Sequence, residues 1–473
     1  MNSFIKKFFK NLSFAFIANL LSIVISTVLI LIVPKFVSIL DYGYWQLYIF
    51  YCSFISYMSF GLTDGAYLRY GGYRYKDLHK PVFVSQYWFL VLLNVFINFS
   101  LATFYALNFT DPNKSIVVFL TCLSGVLVVP RSLIVFMLQS TNRIKEYSIT
   151  IILERVIYFI LVILFLLFGI DEFQFLIISD VIGKLCSVIY ACLISKELVF
   201  GKFESIKKSI NEIWINISVG SKLLIANFAS LLIIGIVRFF IESQWSIETF
   251  GKVSLALSIS NMFMLFINSI GLILFPTLRR TSNDKLPVIY ETMRTMIMVS
   301  LLGLLILYFP ANIIFSSWLP QYAESFIYMV LLFPMCIFES KTQMLTNTYL
   351  KTLRKEKLML LINLLTVVLS LGLTFINVFL IKNLNLTVLS ITILLAFRSI
   401  IAELYIEKTL KIKVKVDIIL EVLMTVVFIS ISWYFPNYVA SFVYMIAYLV
   451  YLFVKKNDLS FLLKSIKAVL NSK

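Results

Sequence analysis

The sequence predicts an all-α integral membrane protein with about fourteen transmembrane helices. We expect two parallel six-helix lobes related by a pseudo-twofold axis, followed by two C-terminal helices. Three observations lead to this fold class. Of the 473 residues, 60% are hydrophobic and 14% are charged, whereas a soluble domain carries about a quarter charged residues. Apolar runs of about 20 residues, the length of a membrane span, recur along the chain, and short motifs repeat in its two halves.

Fourteen apolar segments are long enough to cross the hydrocarbon layer of a bilayer. The predicted spans are 12–33, 42–63, 82–107, 115–142, 148–170, 173–195, 217–241, 250–278, 292–310, 326–350, 358–381, 386–407, 418–435 and 438–454. The first span follows Lys6, Lys7 and Lys10, as in a signal peptide, but it is longer than a signal core and lacks a small-residue cleavage site. We therefore expect it to be retained. The longest loop, 196–216, is charged and predicted to be amphipathic at the inner surface.

Lysine and arginine are distributed unevenly between the two sides of the predicted membrane. With both termini in the cytoplasm, the inside segments carry 29 of them, whereas the outside loops carry only Lys35, Lys114 and Lys382. This asymmetry is typical of inner-membrane proteins, in which cytoplasmic loops are positive. It accounts for most of the net charge of +17, so a nucleic-acid partner is not needed to explain that charge. One wrong span would invert every later loop, so the asymmetry also supports the count of fourteen.

Residues for catalysis or metal binding are scarce. The five cysteines lie in apolar runs without a CxxC pair, and the single histidine, His79, lies in a polar loop. Metal sites built from His and Cys, and Ser-His-Asp catalysis, therefore have almost no residues to work with. The sequence also contains no Walker A loop. We expect no catalytic residues, no metal and no cofactor.

Matching residues at an offset of 210 indicate an internal repeat. The matches are Gly61 with Gly271, Leu62 with Leu272, Leu68 with Leu278, Arg69 with Arg279, Lys145 with Lys355 and Glu146 with Glu356. This offset separates spans one to six from spans seven to twelve. Because six is an even number, the two halves have the same orientation. We predict an N-lobe at 1–210, a C-lobe at 211–410, and spans thirteen and fourteen with a cytoplasmic tail at 411–473.

Three short segments resemble one superfamily of membrane exporters. They are Asp-Tyr-Gly-Tyr-Trp-Gln at 41–46, Phe-Gly-Leu-Thr-Asp-Gly-Ala-Tyr-Leu-Arg-Tyr-Gly-Gly at 60–72 and Phe-Pro-Thr-Leu-Arg at 275–279. Together with the two lobes, over roughly residues 1–410, they resemble the multidrug/oligosaccharidyl-lipid/polysaccharide exporter superfamily. The first two segments are similar to bacterial polysaccharide repeat-unit flippases of the Wzx type, which serve O-antigen or capsule synthesis.

The resemblance implies a substrate, a location and partners. The substrate is an undecaprenyl-diphosphate-linked oligosaccharide, flipped outward across the bacterial inner membrane by alternating access. The implied partners are membrane lipids and the polysaccharide polymerase machinery. With the cell interior negative, moving two charges outward gains about 4–5 kcal/mol per 100 mV, which could drive the flip without a nucleotide.

Charged residues inside the spans indicate where such a substrate would bind, because they are costly in a bilayer and usually face a bundle interior. Asp180 and Lys184 are four residues apart and are predicted to pair along one helix. Four cations have no acid three or four residues away: Arg131, Lys222, Lys341 and Arg398. Arg131 and Lys341 are also 210 apart, so the twofold axis would place them on opposite walls of one cavity. We predict that these four cations hold the diphosphate.

The alternative is that these cations pair with acids across helices, for example Lys222 or Arg398 with Glu339. Asp64 and Arg69 lie beside Gly61 and Gly65 at the inner mouth of span two, and we predict that they form an inner gate. A tight turn with a solvated charge explains them equally well. Glu339 and Arg238 are predicted to line the cavity.

Three other functions remain open at this point. A cation-coupled multidrug exporter of the same fold should line its cavity with acids, but span one contains none. A lipid II flippase would share both the fold and the substrate chemistry. A membrane glycosyltransferase or polymerase would need acids or histidines clustered in an outer loop. The outer loops instead carry scattered acids such as Asp111, Asp171 and Glu324.

Overall fold

The computed structural model describes the backbone of residues 2–279 and 286–460 and the side chains of 13–264 and 286–460. All ordered elements in these ranges are helices joined by turns. Residues 280–285 and the predicted cytoplasmic tail beyond residue 460 lie outside the described residues. The side chains of the 275–279 motif also lie outside the described residues. So do the side chains of the second copy of the repeat, around Gly271.

Nineteen α-helices follow one another in the described ranges. The first eight are α1 (Asn2–Phe36), α2 (Ile39–Ile55), α3 (Leu62–Tyr70), α4 (Lys80–Asn108), α5 (Pro112–Ser140), α6 (Ile144–Leu167), α7 (Phe173–Ile194) and α8 (Lys196–Val199). The next seven are α9 (Ile206–Gln244), α10 (Ile247–Arg279), α11 (Leu286–Leu304), α12 (Tyr308–Trp318), α13 (Phe326–Leu332), α14 (Met335–Lys341) and α15 (Asn347–Thr352). The last four are α16 (Glu356–Phe375), α17 (Leu384–Leu410), α18 (Lys415–Tyr434) and α19 (Asn437–Val454).

Every one of the fourteen predicted spans overlaps a helix, which confirms the predicted all-α membrane fold. Within the described residues, eleven helical stretches are long and apolar enough to cross a membrane, or twelve when one bent pair is included. The two remaining predicted spans correspond to α2, which has 17 residues, and to α10, whose second half has no described side chains.

The bent pair is the predicted span 326–350. Its two parts, Pro320–Leu332 and Met335–Thr352, meet at an angle of 42°. Pro334 lies in the break, where its ring removes a backbone donor and crowds the preceding turn. Its position explains the interruption. A π-helical turn at Thr342–Thr346 then follows directly after Lys341.

The chain divides into two compact units, Met1–Phe228 and Ala229–Lys473. Helix α9 is continuous across this boundary, and α18 and α19 belong to the second unit. The predicted lobes 1–210 and 211–410 and their pseudo-twofold relation remain predictions. In the first unit, α6 packs along α7 and α4 along α5. The contact between α6 and α7 is close because a Cβ at Gly183 would lie 2.6 Å from the Glu154 carbonyl oxygen, as expected where small residues allow membrane helices to approach.

Candidate functional site: charged residues inside the membrane

Arg131, on α5, lies at a junction of three helices in the first unit. Its guanidinium pairs with Glu154 of α6 and donates a hydrogen bond to Ser187 Oγ of α7 at 2.5 Å. Both charged side chains are largely buried, with 12% and 10% of their surfaces exposed. Nε of Arg131 is buried without a hydrogen-bond partner among the described residues. The counter-charge of Arg131 therefore comes from a neighbouring helix, and one of its N–H groups remains unused.

The predicted pairing of Asp180 with Lys184 is confirmed, at 2.6 Å between Oδ2 and Nζ. The Tyr48 hydroxyl, from α2, donates to Asp180 Oδ2 at 2.6 Å and accepts from Lys184 Nζ at 3.0 Å. Ser124 Oγ, from α5, lies 3.4 Å from the same ammonium group. Sequence reasoning did not identify Tyr48 or Ser124, because a hydroxyl group on a separate span carries no periodic signal that links it to the pair.

The first unit has more cations than carboxylates within its predicted spans. Arg131, Arg155, Lys184 and Lys222 stand against Glu154 and Asp180 only. In the part of the chain that the structure describes, neither Arg155 nor Lys222 forms an ion pair or a hydrogen bond. Arg155 acts on Asp180 only through longer-range electrostatics, and the Lys222 side chain is exposed. Within the described spans of this unit, two positive charges are thus left without a carboxylate partner.

These cations lie at a similar depth. At about 1.5 Å per residue, Arg131 lies ~14 Å from the end of α5, Arg155 ~17 Å from the start of α6, and Lys184 ~15 Å from the end of α7. These three helix ends lie on the same side of the first unit. A short turn joins the end of α5 to the start of α6, and α7 runs back from the far end of α6 to that side. Lys222 lies ~15 Å along α9 from Glu212, whose carboxylate contacts Arg69 near the end of α3. A hydrocarbon layer is about 30 Å thick. Since each of these distances is about half of that thickness, we infer that the cations lie near the middle of the layer.

In the second unit, Lys341 is fully buried and shared by two carboxylates. Its Nζ donates to Glu403 Oε2 and to Glu421 Oε2, each at 2.6 Å. Arg294 contacts the same two acids, with Nε 2.5 Å from Glu403 Oε1 and a further ion pair to Glu421. Two cations and two carboxylates from α11, α14, α17 and α18 therefore form a closed ring, which we call the ion-pair ring.

The ion-pair ring extends to the C-terminal helices. Arg294 Nη1 lies 3.2 Å from Asp417 Oδ2 at the start of α18, and Asp417 pairs with Lys455 at the end of α19. Arg294, Lys341 and Glu403 are recognisable in the sequence as charges within spans. Their pairing with one another is not, because one sequence does not reveal the register between helices.

Arg398 pairs with Glu339 and donates to Ser230 Oγ at 2.8 Å. This is the cross-helix pairing that the sequence left open as the alternative. Arg238, which is predicted to line the cavity, donates to Ser254 Oγ at 3.0 Å and lies over the Phe250 ring, 5.2 Å from its centroid.

Three of the four cations predicted to hold a diphosphate thus have carboxylate partners within their own unit: Arg131, Lys341 and Arg398. Each of these three cations has no acid three or four residues away in the sequence, and its carboxylate partner lies on another helix. Only Lys222 has no such partner among the described side chains. The shared cavity with Arg131 and Lys341 on opposite walls remains a prediction.

The predicted gate residues lie where α3 meets α9. Arg69 Nη1 donates to Glu212 Oε2 at 2.9 Å and to Asn216 Oδ1 at 2.6 Å, and Asp64 is partly exposed on the same short helix. A Cβ at Gly65 would lie 1.9 Å from the Asn216 carbonyl oxygen. The backbones of α3 and α9 therefore approach closely at Gly65, whereas the gating role remains a prediction.

Comparison with known proteins identifies the fold. No family model matches the chain, and no curated protein matches it. Among solved structures, an inward-facing multidrug resistance MATE family transporter of the MOP superfamily is 12% identical, with a TM-score of 0.61 over 83% of this chain and 98% of that one. The lipid II flippase MurJ, in an inward closed conformation, is 14% identical, with a TM-score of 0.64 over 95% and 99%.

An outward-facing MATE transporter of the same superfamily is 12% identical, with a TM-score of 0.57 over 85% of this chain and 96% of that one. Identities this low establish the fold alone. The chain is a multi-pass membrane protein with the fold of MOP superfamily transporters. The superfamily resemblance seen in the sequence is thus supported at the level of the fold.

Proposed function

We propose that this chain is a flippase that moves an undecaprenyl-diphosphate-linked oligosaccharide outward across a bacterial inner membrane for O-antigen or capsule synthesis. The observation that carries the proposal is the pair of uncompensated cations in the first unit, Arg155 and Lys222, at mid-membrane depth. Uncompensated charge is costly there and usually marks a substrate pathway. A diphosphate, with about two negative charges, matches this surplus in sign and in number.

The chemistry of these cations suits a phosphorylated headgroup. Arg131 retains one buried N–H without a partner, and guanidinium groups bind phosphate oxygens with defined geometry. Lys222 supplies a compact charge on an exposed side chain. In this proposal Arg131, Arg155 and Lys222 hold the diphosphate. Lys341 and Arg398, which have their own carboxylate partners, stabilise the second unit.

The transport step is alternating access driven by the membrane potential. Outward movement of two negative charges from a negative interior gains about 4–5 kcal/mol per 100 mV. The isoprenoid chain stays in lipid while the headgroup crosses beside the mid-membrane cations. Asp64 and Arg69, at the meeting point of α3 and α9, serve as the inner gate.

A lipid II flippase is the second candidate, and one observation favours it. The MurJ structure covers 95% of this chain, whereas the two MATE structures cover 83% and 85%. A multidrug exporter would need free acids for cationic substrates. In the described parts of the spans, each of the following carboxylates pairs with a cation: Glu154, Asp180, Glu339, Glu403 and Glu421.

Reconstituted protein tests the proposal. The full chain is placed in proteoliposomes with a potential that is negative on the side where the labelled substrate starts. Three substrates are compared: undecaprenyl-diphosphate oligosaccharide, lipid II and ethidium. We expect flipping of the lipid-linked oligosaccharide, faster as the potential increases. Flipping of lipid II alone would support the second candidate, and transport of ethidium alone would overturn both.

A further inference from the structure

A groove at the start of α9 faces away from the first unit. Its volume is about 590 Å³, and it is lined by Ser205, Lys207, Lys208, Ile210, Asn211 and Trp214. We infer that this groove binds the headgroup and upper acyl chain of an anionic phospholipid. The inference is independent of the proposed function, because it concerns the start of α9 and does not depend on what the mid-membrane cations bind.

The apolar part of the site is a stripe along one side of the helix. Ile206, Ile210 and Trp214 follow at intervals of four residues and therefore share one face. They are 79%, 61% and 68% exposed. Phe200 and Phe203, just before the helix, are exposed as well. An amphipathic segment of this kind, with lysines beside large apolar residues, is typical of helices that lie in the membrane interface.

Other residues of the same segment fix it to the protein. Ile213 is buried in the apolar core of the first unit. The Asn216 side-chain amide donates to Gln86 Oε1 at 3.2 Å, and Glu212 holds Arg69. These contacts orient the helix, so the stripe and the lysines face outward as a preformed surface.

The length of α9 places the groove at the level of lipid headgroups. The helix has 39 residues, which corresponds to about 58 Å, whereas the hydrocarbon layer is about 30 Å thick. Lys207 precedes the mid-membrane Lys222 by about 22 Å along the helix. This is beyond the ~15 Å half-thickness of the hydrocarbon and within the headgroup layer. Trp214 lies between Lys207 and Lys222 along the helix, near the edge of the hydrocarbon layer, where tryptophan is enriched in membrane proteins.

The charges of the groove match a phosphate. Lys207 is exposed and forms no ion pair or hydrogen bond within the described residues. Lys208 Nζ lies 3.0 Å from Glu204 Oε2, and His79 Nδ1 lies 3.3 Å from the same oxygen. Lys207 therefore offers a full charge to an anionic headgroup, with the Asn211 amide in the same groove as a further donor. Basic segments at a membrane surface bind anionic lipids through this kind of attraction.

Native mass spectrometry of the purified full chain can test the site. The protein is titrated with phosphatidylglycerol, with zwitterionic phosphatidylcholine and with undecaprenyl diphosphate. The variant K207Q/K208Q removes both lysines of the groove. The matched control K355Q/K357Q removes two exposed lysines elsewhere. We expect about a tenfold loss of phosphatidylglycerol affinity in K207Q/K208Q, with the control equal to wild type and phosphatidylcholine weak throughout.

Other outcomes overturn the inference. Unchanged phosphatidylglycerol binding in K207Q/K208Q would do so, as would an equal loss in the control, since either result shows that the groove is not the site. A loss confined to undecaprenyl diphosphate would assign the groove to the substrate instead. If K207Q/K208Q does not fold, I210S/W214S tests the stripe, and it is expected to weaken phosphatidylglycerol binding several-fold while leaving both lysines in place.

Discussion

Lys341 shows how a charge is kept inside this protein at the scale of a single residue. Its ammonium group is fully buried, yet it lies between two carboxylates that also contact Arg294. The two positive and two negative charges of the ion-pair ring therefore cancel. Removing one member leaves a net charge in an apolar environment, which costs more than the pair itself contributes.

We predict that Lys341→Met destabilises the protein by about 3–5 kcal/mol, because it leaves two acids facing one arginine. The thermal midpoint of the detergent-purified protein measures this. Lys357→Met, at an exposed position, is the control and should change little. The double variant Lys341→Met with Glu421→Gln should recover part of the loss. If the single variant melts like wild type, the ion-pair ring does not contribute to stability.

Gly65 is a second residue whose identity the packing requires. A Cβ there would lie 1.9 Å from the Asn216 carbonyl oxygen, so Gly65→Ala should force α3 and α9 apart. We expect a lower melting temperature and slower transport. Gly372→Ala is the matched control, since no atom lies within 4 Å of a Cβ at that helical position, and alanine favours a helix by up to about 1 kcal/mol. Equal effects of both changes would contradict this account.

The sequence is a good guide to local pairs and a poor one to distant partners. Asp180 and Lys184 could be paired from their spacing alone, because residues four apart meet on a helix. The contacts of Lys341 with Glu403 and Glu421 span 62 and 80 residues, and no periodicity encodes them. For the same reason Arg131, Lys341 and Arg398 look unpaired in the sequence.

At the scale of elements, α18 and α19 are held to the second unit by more than the ion-pair ring. The Tyr444 hydroxyl donates to the Leu302 carbonyl at 3.0 Å, and the Tyr448 hydroxyl donates to the Val299 carbonyl at 2.9 Å. Both acceptors belong to α11. These bonds and the contacts of Asp417 make the two last helices part of the second unit.

Replacing both hydroxyl groups, in Tyr444→Phe/Tyr448→Phe, should lower stability by about 1–3 kcal/mol, since each hydrogen bond contributes about 0.5–1.5 kcal/mol. Thermal melting of the purified protein is the measurement. The control is Tyr434→Phe/Tyr438→Phe, because these two rings are 79% and 77% exposed. A control that loses as much stability as the test variant would show that the bonds to α11 are not the cause.

Hydropathy located the fourteen spans but not their interruptions. A helix of about 20 apolar residues matches the thickness of the hydrocarbon layer, so the positions of the spans could be predicted from the apolar runs. Pro334 lies in the break of its span, whereas the π-helical turns at Thr342–Thr346 and Ile376–Leu380 contain no proline. The turn after Lys341 lies beside the ion-pair ring, and its placement depends on tertiary contacts that the sequence pattern does not contain.

At the scale of the whole molecule, the uneven distribution of lysine and arginine predicts the orientation. Both termini should lie in the cytoplasm, and the loop around Lys114 should lie outside. Reporter fusions can measure this: alkaline phosphatase should be active when fused after residue 114, and a fluorescent protein should fluoresce at the C-terminus. The opposite pattern would invert the predicted topology and, with it, the direction of transport.

The central claim is that the uncompensated cations of the first unit bind the diphosphate of a lipid-linked substrate. The most direct measurement is the affinity of the purified protein for undecaprenyl diphosphate in wild type, Arg155→Gln, Lys222→Gln and the control Lys252→Gln, which changes a lysine of the second unit. We predict about a tenfold loss for each of the first two changes, as for a hydrogen bond to a charged group, and no loss for the control. Unchanged affinity in both Arg155→Gln and Lys222→Gln, with the protein folded, would contradict the account.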